Sequence, residues 1–137
     1  MSTKQYEITL SPKPYGVHLI TSDIINAVID WPEIGIAQLF LQHTSAAITI
    51  NENADPTVRE DMQGFINRLV PDNLPFYKHI YEGADDMHAH IKSSLFVVHL
   101  TLPIKNKNLA MGTWQGIYLM EFRKHAGRRK LILTILS

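Results

Sequence analysis

No segment constrains this chain more than His43 to Asp61, HTSAAITINENADPTVRED. Apolar residues dominate Ile36 to Leu41, Ala46 to Ile50 continues in a β-prone register, and His43, Thr44 and Ser45 stand at the junction between the two strands. Asp55 followed by Pro56 marks a helix start. The aspartate can accept free backbone N–H groups, and proline at the first helical position has no N–H to lose. Val58, Met62, Phe65, Ile66 and Leu69 then fall at helical spacing and give that helix an apolar face. Asn51, Glu52 and Asn53 are therefore held in a short loop between a strand and a rigid helix. Either they cap the helix and tie down the turn, or the loop presents them for chemistry.

A chain of 137 residues has the size of one domain, 1–137, and can bury a core. With 13 Lys and Arg against 13 Asp and Glu, the formal net charge is zero, and no electrostatic footprint for nucleic acid is expected. The absence of cysteine excludes disulfides, thiol catalysis and cysteine metal sites, so any metal must take His and carboxylate ligands. No apolar run approaches the roughly 18 residues of a membrane span, and MSTKQYEITL lacks an apolar signal core. The expectation is a soluble, cytoplasmic protein without a membrane partner.

Gln5 to Leu10 alternates, with Tyr6, Ile8 and Leu10 on one face, as a half-buried strand does. Pro12, Pro14 and Gly16 break the chain before a strand at Val17 to Ile20. Thr21 or Ser22 then caps a helix running towards Asp30, whose buried side is Ile24, Ile25, Val28 and Ile29. Val70 to Gly83 is a long irregular connection with two prolines, either functional or simply crossing the surface.

A second polar cluster follows, ADDMHAHIKSSL, in which Asp85 or Asp86 caps a helix that includes Ile91 and Leu95. Positions two apart on a helix point about 200° from each other, so His88 and His90 cannot both be helix-borne ligands of one metal. His90 shares its face with Ser93 and Ser94 and is the better functional candidate, although a lone helix histidine also serves as a structural hydrogen-bonder. Lys92 with the two serines forms a group able to hold a phosphate.

The last third reads as antiparallel sheet, with strands at Val98 to Ile104, Leu109 to Met111, Trp114 to Arg123 and Lys130 to Leu136. Glu121 is either a carboxylate of a site or a solvated charge at a strand end. Gly112, Thr113 and Gly116 bracket Trp114, which suggests a close backbone approach or a bulge.

HTSAAITINENADPTVREDM, VPDN, YEGADDM, HIKSS, LTLPI and GTWQGIYLMEFR, in this order through the chain, resemble the signature of the YjbQ family, also described as secondary thiamine-phosphate synthases. The resemblance implies an α+β fold, a mostly antiparallel β-sandwich with helices packed on it, assembled as a homotrimer with sites near subunit interfaces. It also implies an enzyme with a divalent metal ion, zinc or magnesium, and a small phosphorylated molecule as partner. His43 and His90 fall in the family's HTS and HIKSS blocks and become the expected metal ligands. Glu52, His90 and Glu121 become the expected catalytic groups, and Thr44, Ser45, Asn51, Asn53, Lys92, Ser93, Thr113 and Gln115 the expected lining. One departure stands out: Phe96, Val97, Val98 and His99 replace small, glycine- and serine-containing residues, and two β-branched valines narrow the space for an anion there.

Two functions from different classes follow. One is a transferase joining hydroxymethylpyrimidine diphosphate to thiazole phosphate with release of pyrophosphate, in which a divalent cation and Lys92 offset the charge of the departing diphosphate and Glu52 or His90 handles protons. The other is a trimeric metal-binding protein or metal-dependent hydrolase, with His43, His90 and Glu52 or Glu121 leaving an open coordination position.

Overall fold

The computed structural model describes residues 1–137. Eight strands and three helices follow one another as β1 (Thr3–Thr9), β2 (Gly16–Leu19), α1 (Thr21–Asn26), β3 (Ile34–Leu41), β4 (Ala46–Glu52), α2 (Pro56–Leu69), α3 (Met87–Leu95), β5 (His99–Lys105), β6 (Asn108–Leu109), β7 (Gln115–Glu121) and β8 (Lys130–Leu136). They form two sheets, one of five strands in the order β1-β8-β3-β5-β6 and one of three in the order β2-β7-β4. Every strand pairing is antiparallel.

The apolar sets explain the layering. Ile8, Leu39, Leu131 and Leu133 of the larger sheet pack on Ile48, Ile117 and Leu119 of the smaller one, with Ile24 of α1 and Trp31 closing the same core. A second, smaller core lies on the other side of the three-stranded sheet, where Ala47, Met120 and Phe122 meet Ile66 of α2 and Ala89 of α3. The central strand β7 is consequently buried on both faces, and Ile117 through Phe122 are all buried. Glycine is needed at Gly116, because a Cβ there would lie 2.7 Å from Leu19 Cδ2 and 2.9 Å from the Asn53 Cβ. The crowding expected around Trp114 is therefore a close approach.

Helices depart from the sequence expectation in their buried sides. α1 ends at Asn26, short of Asp30, and buries only Ile24 while Ile25 is exposed; beyond its end, Val28 is buried and Ile29 is exposed. The Thr21 hydroxyl is not spent on capping: it accepts the Ile117 N–H at 2.9 Å and stitches α1 to β7. α2 starts as expected, with Asp55 Oδ1 accepting the Thr57 N–H at 2.9 Å and Pro56 in the first turn. Of its apolar residues only Ile66 is buried, whereas Phe65 and Leu69 are exposed.

Glu121 is not a solvated strand-end charge. It is 1% exposed and forms a two-point ion pair with Arg129, Nε to Oε1 at 2.7 Å and Nη2 to Oε2 at 2.5 Å. Arg129 Nη2 also donates to the Ser45 carbonyl and hydroxyl oxygens at 3.1 and 3.0 Å, so the pair clamps the start of β4 to the end of β7. Removing one partner leaves a buried charge unmatched, which is worth about 3–5 kcal/mol. In urea unfolding, Arg129→Met should lose about that much stability, and the double variant Glu121→Leu with Arg129→Met should lose clearly less. Equal losses would show that the pair does not act as a unit.

Candidate metal centre

The donors that converge come from two places. Asp86 precedes the first turn of α3 and is 2% exposed, yet its side chain makes no capping bond. Its Oδ2 lies 2.7 Å from His79 Nε2 and 3.0 Å from His90 Nε2, and its Oδ1 lies 3.3 Å from Arg123 Nη1. The ligand atoms of His79, Asp86 and His90 all lie within 4.8 Å of one another. Helical spacing brings Asp86 and His90 onto one face, four residues apart. His79 arrives from the irregular Val70 to Gly83 connection, which thereby acquires a role at the site.

His90 carries the decisive feature. Its Nδ1 lies 2.8 Å from the Thr44 carbonyl oxygen. A carbonyl only accepts, so Nδ1 bears the proton and donates it. Neutral imidazole then has only a lone pair on Nε2, and that lone pair faces the Asp86 carboxylate. Two electron-rich atoms at 3.0 Å require something positive between them, either a second proton or a cation. A backbone carbonyl holding the remote N–H of a histidine whose other nitrogen meets a carboxylate is the pattern that orients imidazole on a metal. Burial of Asp86 pushes its carboxyl upward, but the hydrogen bond from His79 and the charges of His90 and Arg123 outweigh this and hold it below its ordinary value. The carboxylate is thus held ionised while protons sit on the imidazole nitrogens that face it, and a metal would displace those protons and take over their role.

His43 does not join this set. Its Nε2 accepts the Lys130 N–H at 2.8 Å, and burial, with help from the Arg129 charge, lowers its pKa. Neutral His43 fits that acceptor role. Ser45 and Glu121 belong to the Arg129 clamp, Thr44 contributes its backbone carbonyl, and the Ser93 hydroxyl donates to the Ala46 carbonyl at 2.9 Å. Asn51, Glu52, Asn53, Thr113 and Gln115 gather at the far end of β4, about 20 Å from Ala46 at the rise of an extended strand. Glu52 Oε2 accepts the Ala54 and Asp55 N–H groups at 3.1 and 2.9 Å. Asn53 Nδ2 donates to the Thr113 and Gln115 carbonyls, both at 3.2 Å, and Gln115 Oε1 accepts the Gly112 N–H at 2.8 Å. Within one chain these residues tie the turn and stand apart from His90. The Phe96 to His99 segment is likewise engaged, with the Val97 and Val98 carbonyls accepting from Ile48 and Leu41, and His99 is exposed on β5.

Sequence reasoning missed His79, which sits in irregular chain, and took Asp86 only as a cap. The legible signal was Asp86 and His90 at helical i and i+4, a pair compatible with one metal where His88 and His90 are not.

Lys92 leaves the His90 side altogether. It is 1% exposed and its Nζ lies 2.7 Å from the Tyr15 hydroxyl. Burial lowers its pKa from 10.5 to about 8, against a small opposing pull from Asp72. Between those two values the unfolded chain holds a proton that the folded chain has released, so folding gains as pH rises. The penalty of burying the cation is fully present below pH 8. Urea titrations should therefore show wild type gaining stability relative to Lys92→Met from about pH 8 to 10, and parallel curves would contradict this.

A family model described as UPF0047 protein YjbQ-like matches residues 6–137. UPF0047 protein YjbQ of Escherichia coli O157:H7 is 53% identical over 133 residues, covering 96% of each chain. Among solved structures, a conserved hypothetical protein from Thermus thermophilus superposes with a TM-score of 0.84 at 33% identity, covering 95% of this chain and 98% of its own. An uncharacterized conserved protein of the yjbq/upf0047 family from Clostridium acetobutylicum gives 0.80 at 38% identity, covering the same shares. With a mixed, mostly antiparallel α+β architecture shared across these structures and sequence identity running through nearly the whole chain, this protein belongs to the YjbQ family.

Proposed function

We propose that this protein is a divalent-metal enzyme acting on a small phosphorylated molecule, with His79, Asp86 and His90 as the ligands. The observation that supports it best is His90, whose Nδ1–H is committed to Thr44 and whose Nε2 lone pair faces Asp86. Two imidazoles and one carboxylate match zinc better than magnesium, which prefers oxygen, and they leave a coordination position open. A bound zinc would supply a Lewis acid and lower the pKa of a coordinated water. The chain's own contribution is positional: Thr44 fixes the His90 ring, Arg123 holds the second oxygen of Asp86, and His79, with its side chain 44% exposed, stands on the open side. Hydrolysis is the reaction class this arrangement serves.

Transfer of a hydroxymethylpyrimidine group to thiazole phosphate is the second reading. What favours it is the presence of two lysines, Lys92 in the last turn of the same helix and Lys124, lining one cavity where a phosphate could be drawn. We further propose a cytoplasmic homotrimer. No helix is long and apolar enough to cross a membrane. Ile34, Ile36, Phe40 and Leu136 expose an apolar outer face on the larger sheet, and Phe65 and Leu69 do so on α2. Exposed apolar surface of this kind marks an interaction face.

Zinc reconstitution after chelation tests the metal reading. About one zinc per chain is expected by elemental analysis, falling to background in Asp86→Asn and His90→Ala and retained in His43→Ala. Retention in all variants would contradict the ligand set. Assays of the loaded protein with phosphomonoesters and with the two thiamine precursors then separate the reactions, and formation of thiamine phosphate without phosphomonoester hydrolysis would favour the transferase. In sedimentation equilibrium the protein should run at three chain masses, whereas a monomer would rule out the trimer.

A further inference from the structure

We propose that the cavity lined by Lys92, His88 and Lys124, on the face of α3 turned away from the metal centre, is a binding site for a small oxyanion, the phosphate or carboxylate head of a small metabolite. The site is distinct from the metal centre by helix geometry. Asp86 and His90 lie on one side of α3, and His88 and Lys92, also four residues apart, lie on the other.

The cavity has a volume of about 250 Å³ and is lined by Tyr15, Asn67 and Asp72 in addition to the two lysines and His88. At that size it accepts a phosphate with a short carbon chain, well below a drug-sized ligand. Its polar groups are incompletely matched. Lys92 is 1% exposed, yet no carboxylate lies within ion-pair distance of it. Its Nζ reaches Tyr15 Oη at 2.7 Å and Asn67 Oδ1 at a marginal 3.5 Å, and sits over the rings of Tyr15 and Phe122 at 5.2 and 5.7 Å. The Tyr15 hydroxyl in turn donates to Asn67 Oδ1. An ammonium has three N–H donors, and these contacts leave one without an acceptor.

His88 adds an independent observation. It is 2% exposed, and neither ring nitrogen has a hydrogen-bond partner. Any protonation state of imidazole carries at least one N–H, so this ring also lacks an acceptor. A buried cation without a counter-ion and a buried donor without an acceptor are both costly to maintain, and one oxyanion between them would satisfy both. Lys124, exposed at the rim, has no side-chain partner and supplies a second positive charge. The carboxylates nearby do not cancel this surplus. Asp85 is engaged by Arg123 Nη2 at 3.4 Å and by the Lys124 N–H at 2.9 Å, which leaves Asp72 alone against two lysines.

Isothermal titration of chelator-treated protein with inorganic phosphate, and separately with acetate, tests the site away from any metal. Saturable binding of one anion per chain is expected. Lys92→Met should weaken it about tenfold or more, the equivalent of one charge-assisted hydrogen bond, and the rim variant Lys124→Ala should weaken it without threatening the fold. Tighter binding of phosphate identifies a phosphate ester as the natural head group, and tighter binding of acetate a carboxylate. The proposal is overturned if neither anion binds, if both variants bind as wild type does, or if binding appears only once zinc is restored, which would place the anion at the metal centre instead.

Discussion

The burial of the three-stranded sheet on both faces is the constraint from which the rest of this architecture follows. Because β4 and β7 have the larger sheet on one side and α2 and α3 on the other, they have little tolerance for unmatched polar groups along their length. Polar chemistry is displaced to the two ends of β4. At one end lie Thr44, Ser45 and the Glu121–Arg129 clamp, and at the other lie Glu52, Asn53 and their partners from the loop before β7. The strand acts as a spacer between two hydrogen-bonded knots.

α3 is docked onto the first of these knots by its own side chains. Ser93 donates to the Ala46 carbonyl, His90 donates to the Thr44 carbonyl, and Ala89 packs in the small core. This docking orients His90 and settles what surrounds each remaining helix position. Asp86 and His90 face His79, while His88 and Lys92 face Tyr15 and the cavity. Two neighbouring but chemically different environments therefore arise from one short helix. The first is organised by a carboxylate that Arg123 and the histidines keep ionised. The second has a cation with no carboxylate in contact.

Much of the fold was legible because its signals are local. Alternation placed Ile8 and Leu10 inward, Asp55 and Pro56 fixed the start of α2, and the glycines around Trp114 announced the close approach at Gly116. His88 and His90 likewise face different surroundings in three dimensions, as helical spacing requires. Other features depended on tertiary partners that no window of sequence displays. Glu121 became a buried ion-pair member because Arg129 returns to it across a turn, and His43 became an acceptor because the Lys130 N–H lies opposite it. His79 was invisible for the same reason, since its irregular segment has no periodicity to say which way it points. Residues grouped by the family resemblance, such as Glu52 and His90, are parted by the length of a strand.

The protonation and ligation of the His90 ring test this account most directly, and long-range ¹H–¹⁵N correlation on selectively labelled protein reads both. Nδ1 should carry the proton bonded to Thr44. Nε2 should be the nitrogen whose resonance shifts on addition of zinc and shows scalar coupling to cadmium substituted for it. A proton on Nε2 with a bare Nδ1, or a ring indifferent to either metal, would contradict the metal centre.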